Sequence, residues 1–168
     1  MTARKVLLYP DPTLKQVAAP AQAGSAEAVG RDLLDTMRSF ERCVGLAAPQ
    51  IGELTRLIAV DVRDHPKAPP SANGLMVLAN PRIVEREGSE IAREGCLSIP
   101  DLTANVRRAV TIVVEHTEGR IESTGFEARC LQHEIDHLDG ILFLDRVESL
   151  VDDVFRRRVY ADSERGRG

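Results

Sequence analysis

Residues 132–140 read Gln-His-Glu-Ile-Asp-His-Leu-Asp-Gly, and within them His133, Glu134 and His137 form H-E-x-x-H. On a helix, side chains four apart leave the same face, one turn above the other. His133 and His137 can therefore aim two ring nitrogens at one metal ion. Glu134 can sit beside that ion without ligating it, where a general base for an activated water belongs. The bland alternative is a core helix with two half-exposed histidines. A catalytic metal needs a third protein ligand and an open position. No histidine follows His137, and the later carboxylates, Asp139, Asp145, Glu148 and beyond, stand in no recognisable pattern. Upstream lies Glu94-Gly-Cys-Leu-Ser-Ile-Pro100. Gly95 lets the backbone bring a Cys96 thiolate close to a cation. A lone cysteine is more often an inert small hydrophobe; beside a paired-histidine motif, the ligand reading takes over.

These residues need elements to hold them. Thr124-Gly-Phe-Glu127 reads as a capping box, and Phe126, Cys130, His133 and His137 share one helical stripe. Gly140 is a natural stop just past the helix end. The pattern predicts a helix from about 125 to 139. Ser25 caps a second predicted helix over about 26–42, with Val29, Leu33, Met37 and Phe40 buried and Gly30 weakening it. Strands are predicted over 55–62, 75–80, 82–86, 90–93, 110–116 and 120–123, where β-branched and apolar residues run or alternate between turn signals. Val110, Ile112 and Val114 share one face of the 110–116 strand. Residues 63–74, rich in proline, form a surface loop. Leu150, Val151, Val154 and Phe155 predict a last helix over 145–161, with Ser163–Gly168 frayed. The order gives an α+β fold: short antiparallel strands around a central metal-bearing helix, with an N-terminal and a C-terminal helix.

The chain has 168 residues, 43% hydrophobic and 29% charged, which fits one domain spanning 1–168 with a real core. A net charge of −4 and an aromatic content of 4% give no support for nucleic-acid binding. Apolar runs such as Leu57–Val60 are too short to span a bilayer, and the N-terminus lacks a signal-peptide pattern. Three cysteines, Cys43, Cys96 and Cys130, make no disulfide framework. A cytoplasmic protein is expected, without a membrane or nucleic-acid partner.

Three segments resemble the signature motifs of the peptide deformylases: Gly45-Leu-Ala-Ala-Pro-Gln50, Glu94-Gly-Cys-Leu-Ser98 with Pro100, and Gln132-His-Glu-Ile-Asp-His137. They occur in the family order, and the resemblance covers about residues 5–145. H-E-x-x-H alone occurs in many unrelated proteins; the second and third motifs together are highly specific. The resemblance implies an enzyme that removes the formyl group from N-formyl-methionyl peptides. It implies that Cys96, His133 and His137 ligate one divalent ion and that Glu134 is the acid/base. It implies that Gln50 and the backbone N–H of Leu97 donate to the oxyanion, and that Val44, Gly45 and Gly95 hold the peptide as an added strand. Phe126 and Cys130 then line the pocket for the first side chain. A Cys-His-His donor set suits zinc and accepts ferrous iron, nickel or cobalt; the resemblance implies iron in the cell. It also allows a transient association with the ribosome.

The sequence departs from the family pattern at Cys43, where glycine is usual, and before Arg108, where a proline is frequent. The first bears on the edge along which substrate would pass. Two other readings compete: a general HExxH metallopeptidase, which would need a downstream ligand, and a non-catalytic metal-binding module, which would not need Glu134 or Gln50. A relative acting on a formylated small molecule is a third, hinted at by Cys43 alone.

Overall fold

The computed structural model describes residues 3–157. Helix α1 (Ala23–Arg38) precedes three short strands, β1 (Gly45–Ala47), β2 (Leu57–Val60) and β3 (Met76–Ala79), paired antiparallel in that order. Next come β4 (Arg82–Glu87), β5 (Glu90–Cys96), β6 (Ile99–Arg108), β7 (Thr111–His116) and β8 (Gly119–Thr124). They build two further antiparallel sheets, β4-β7-β8 and β5-β6-β9, the last strand being β9 (Val154–Arg156). Helix α2 (Gly125–Leu138) follows β8 and carries the H-E-x-x-H residues. The architecture is α+β with short antiparallel strands.

Packing explains the layout. On one side of the first sheet, Leu33 and Met37 of α1 pack with Leu46, Leu57 and Ala59. On the other, Leu131, Ile135 and Leu138 of α2 pack with Ile58, Val60, Ile112 and Val114. Leu14, Cys96, Ile99, Ala104, Val106 and Phe143 form a third cluster under β6. Because β1 and β5 are each paired on one edge only, both leave an edge free to face a ligand.

Helix α2 stops where its sequence says it should. Gly140 takes φ 69°, its N–H bonds the His137 carbonyl, and the Ile141 N–H reaches back to Asp136. That pair of bonds is a Schellman stop. A Cβ on Gly140 would also lie 2.5 Å from the Lys15 carbonyl oxygen, so the N-terminal segment can dock there only against glycine.

Four sequence expectations need correction. The predicted C-terminal helix is absent: residues 143–146 make one 3-10 turn, and Val154–Arg156 add a strand to β6. The Asp153 carboxylate accepts from the Ser149 N–H, and the Ser149 hydroxyl accepts from the Asp152 N–H and in turn donates to the Asp152 carboxylate, which favours a turn over a helix. Leu150 and Val151, half of the expected stripe, are 72% and 89% exposed. The part of that prediction beyond 157, and the fraying of 163–168, lie outside the described residues. At the start of α2, Thr124 makes no cap bond; its hydroxyl donates to the Val110 carbonyl, while Glu127 is taken by Ser123 and Asn73. Helix α1 starts at Ala23, so Ser25 lies inside it, and Phe40 falls beyond its end. Gly30 has a packing reason there: a Cβ would lie 3.2 Å from Val77. Finally, β6 is a ten-residue strand that no predicted element covered.

Candidate active site

Alternation along β5 puts Glu94 and Cys96 on its inward face and Arg93 and Gly95 on its outward face. Helical spacing does the same for α2, where Arg129, His133 and Asp136 or His137 recur on one side. The two elements meet so that Cys96, His133 and His137, all buried, bring their ligand atoms within 4.8 Å of one another. Cys96 Sγ lies 3.4 Å from His137 Nε2. His133 bonds Glu94 through Nδ1 at 3.0 Å, which leaves its Nε2 as the ring nitrogen for a metal.

Electrostatics supports that donor set. Burial opposes ionisation of the Cys96 thiol, but the two imidazoles outweigh it and hold its pKa well below the usual value. Burial likewise opposes charge on His133, yet Cys96 and Glu94 raise its pKa well above normal. A thiolate against a doubly hydrogen-bonded imidazole is a cluster ready to exchange a proton for a cation. Glu134 Oε2 is buried without a hydrogen-bond partner, and burial lifts the Glu134 pKa to about 7 despite the two histidines. A divalent cation between the ligands would pull that value down again. The residues therefore fit a metal ion: a soft thiolate, two imidazoles and an unpartnered carboxylate oxygen beside them.

Beneath His133 lies a network the sequence reading did not assign. Glu94 accepts from Arg108 Nε at 2.9 Å, Arg108 Nη2 at 3.0 Å and Arg129 Nη1 at 2.9 Å, besides His133. Arg108 reaches on to Asp136, which Arg146 also holds at 2.7 Å. Burial raises the cost of charge on Glu94, but His133 and Arg108 together keep its pKa far below the usual carboxylate range. A signal was present. Glu94 sits two residues before Cys96 on a strand, so both had to share a face.

Gln50 is 2% exposed and fixed at both ends. Its Oε1 accepts from the Ala47 N–H at 2.9 Å, which turns Nε2 towards Ser98 Oγ at 3.1 Å and Cys96 Sγ at 3.4 Å. The amide thus both satisfies its loop and aims a donor at the cluster. Leu97 occupies the turn between β5 and β6, beside Cys96. Gly45 is required by close approach: a Cβ there would lie 2.6 Å from Glu134 Oε1 and 2.8 Å from Cys130 Sγ.

A cleft of about 370 Å³ opens over this cluster, with Val44, Gly45 and Gln50 along one wall and Gly95 and Leu97 along the other. Phe126, Cys130, His133 and Glu134 of α2 form its floor. Cys130 donates to the Val44 carbonyl at 3.5 Å, and the Phe126 ring stacks on His65 with centroids 4.1 Å apart. Every residue singled out from the sequence lines this cleft or, for His137, lies directly beneath it. Cys43 lines it too, with Sγ turned to the Gly45 carbonyl at 3.3 Å.

A family model described as polypeptide deformylase matches residues 3–153. A peptide deformylase of Thermodesulfovibrio yellowstonii is 39% identical over 166 residues, covering 94% of this chain and 97% of its own. One from Rhizobium meliloti is 40% identical over 176 residues, covering 99% and 98%. Among solved structures, the class I type b peptide deformylase of Acinetobacter baumannii, determined with Met-Ala-Ser bound, superposes with a TM-score of 0.77 at 34% identity, over 87% of this chain and all of that one.

Proposed function

The chain belongs to the polypeptide deformylase family, and from that premise we infer how its own residues remove the N-formyl group from the formyl-methionine of newly made peptides and release formate. Cys96, His133 and His137 would hold one divalent ion. Once bound, that ion polarises the formyl carbonyl and lowers the pKa of a water molecule. We assign ferrous iron to this role in the cell, with zinc, nickel or cobalt able to substitute.

Glu134 takes a proton from the attacking water as its oxygen bonds to the formyl carbon. It then delivers that proton to the nitrogen as the C–N bond breaks, leaving formate and a free amino terminus. Gln50 Nε2 and the Leu97 N–H donate to the oxygen that gains charge on the formyl carbon. Gln50 is held for this by the Ala47 N–H on its Oε1, and losing one such donor typically slows an enzyme by about 10²–10³. Gly45 on the free edge of β1, with Val44 just before it, and Gly95 on the free edge of β5 hold the peptide backbone between them as an added strand. The methionine side chain enters over Phe126 and Cys130.

The observation that carries this assignment is the convergence of three ligand atoms within 4.8 Å beside an unpartnered Glu134 oxygen. It is tested by formate release from formyl-Met-Ala-Ser. Wild type should turn the peptide over, and Glu134→Gln should keep its metal while losing nearly all activity, since an amide cannot carry the proton. A Glu134→Gln variant working at close to the wild-type rate would refute the assignment. Among the described residues no helix is long and apolar enough to cross a membrane. We place the reaction in the cytoplasm, with the nascent peptide as partner and contact with the ribosome at most transient.

A further inference from the structure

The mouth of the cleft carries charge that the catalytic reading does not use. The chain is acidic, with a net charge of −4, and it pairs most of its arginines with carboxylates. Arg4, Arg31, Arg38, Arg56, Arg63, Arg82, Arg107, Arg108, Arg120, Arg129 and Arg146 all have one within ion-pair distance. Of the described arginines that leaves Arg42, Arg86, Arg93, Arg156 and Arg157, and three of these five, Arg42, Arg93 and Arg157, line this one cleft.

Two of the three are held in place by neutral groups. Arg93 donates to Asn105 Oδ1 at 3.0 Å and Thr103 Oγ1 at 3.3 Å, and its Cζ lies 3.6 Å from the centre of the Phe155 ring. These contacts fix the guanidinium without cancelling its charge. The Arg157 backbone N–H bonds the Asp101 carbonyl at 2.8 Å, and its side chain folds back so that the guanidinium lies against Gly95, where any Cβ would overlap it. Gly95 is on the strand edge along which the peptide would lie. Arg42 stands on the opposite wall, next to Cys43, at a φ of 63°. The carboxylates lining the same cleft are Glu41 at the rim and, below, Glu94 and Glu134. Glu94 is already saturated by Arg108, Arg129 and His133, and Glu134 lies beside the ligand cluster, which leaves Glu41 as the one carboxylate at the rim among the described residues that line this cleft.

We propose that this rim selects formyl-methionyl peptides carrying a carboxylate side chain within the two residues after methionine; the inference rests on the deformylase reading. An extended peptide alternates its side chains. With methionine directed onto α2, the second side chain points the other way, out to the rim, and the third turns back along the cleft. Guanidinium groups there can form forked bonds to Asp or Glu, and none has to be released from a carboxylate first. The groups are exposed, so each pair contributes modestly and is screened by salt. Together they give a discrimination of about tenfold between acidic and basic peptides.

The test uses the metal-loaded enzyme and formate release from formyl-Met-Ala-Ser, formyl-Met-Asp-Ser, formyl-Met-Ala-Asp and formyl-Met-Lys-Ser. One of the Asp peptides should exceed the Lys peptide in kcat/KM by about tenfold, mainly through KM, and the ratio should shrink at high salt. Arg157→Ala should cut that ratio several-fold, and Arg157→Lys should restore part of it. Which Asp peptide gains identifies the position read. Equal kcat/KM for the acidic and lysine peptides, or a ratio untouched by Arg157→Ala and by Arg42→Ala, would overturn the proposal while leaving the deformylase reading intact. If no formylated peptide released formate, both would fall.

Discussion

The arginines beneath the ligand cluster and those at the cleft mouth are handled in opposite ways. Arg108 and Arg129 are buried, with side chains only 4% and 5% exposed, and each sits on Glu94 at 2.9 Å. Arg42, Arg93 and Arg157 stand a short distance outward, and none has a carboxylate partner among the described residues. Burial makes the difference. A guanidinium taken out of water must be paired and fully hydrogen-bonded or it destabilises the fold by several kcal/mol. At the rim, water meets that need, and a charge can wait for a ligand. The inner arginines therefore act through Glu94 on the orientation of His133, and the outer ones are free to act on what enters.

The largest effect should come from breaking the inner network. Arg108→Met strips Glu94 of two of its hydrogen bonds and Asp136 of one in a dry setting. The expected cost is about 3–5 kcal/mol, read as a drop in the chemical-denaturation midpoint. A loss under about 1 kcal/mol would mean that the buried ions are already compensated by other groups and that the contrast with the rim is only apparent. Next in size is Glu94→Gln. It keeps the shape but replaces a carboxylate on His133 Nδ1 with a neutral amide. Metal affinity should fall by about 10–100-fold, measured by competition with a chelator. Unchanged affinity would show that Glu94 serves packing alone. At the rim, Arg157→Ala should leave stability within about 0.5 kcal/mol of wild type, because an exposed, unpaired side chain has little to lose. A larger loss would place Arg157 with the inner group.

The same contrast explains what could be read from the sequence. Helix α2, its Gly140 stop and the shared face of His133 and His137 follow local rules of spacing, and those rules held; Cys96 was legible only from its motif and the family resemblance, and the structure brings its ligand atom to the two histidines. Strand β6 escaped because its inward positions run Ala104, Val106, Arg108, and the buried arginine breaks an otherwise apolar alternation. That arginine is buried only because Glu94 and Asp136, distant in sequence, are there to meet it. The C-terminal segment misled for a related reason. Leu150, Val151, Val154 and Phe155 have helical spacing, but the free edge of β6 offered Val154–Arg156 a ladder, and the Ser149–Asp153 turn delivered them to it. Arg157 reaches Gly95 only because that strand forms, so no motif could have announced it. Glu127 gave a false signal: it looked like half of a capping box and instead accepts from the Ser123 hydroxyl and from Asn73.

The smallest effect on turnover of an ordinary peptide is expected at Cys43, where the sequence departs from its family on the wall that bears Arg42. In principle a side chain at this position could narrow the cleft. Here Sγ points to the Gly45 carbonyl at 3.3 Å and packs beside the cluster formed by α1 and β1, so its bulk is directed into the wall. Burial, with the charge of Glu134 adding to it, pushes the Cys43 thiol up to about 12. The sign is clear: a raised thiol pKa keeps the group protonated at pH 8, and it gains reactivity only as the pH climbs towards that value. Alkylation at pH 8 should then be about three orders of magnitude slower than for a free cysteine, as followed by mass spectrometry. Cys43→Gly should cost about 1–2 kcal/mol of stability through lost packing and added chain entropy. It should change kcat/KM on formyl-Met-Ala-Ser by no more than a few-fold. A gain well beyond tenfold, equivalent to more than about 1.4 kcal/mol of transition-state binding, would mean that Cys43 obstructs ordinary peptides. If wild type also turned the peptide over poorly, the native substrate would have to be a formylated molecule other than a nascent chain. Fast alkylation together with that gain would move Cys43 from the wall to the rim, beside the arginines that meet the substrate.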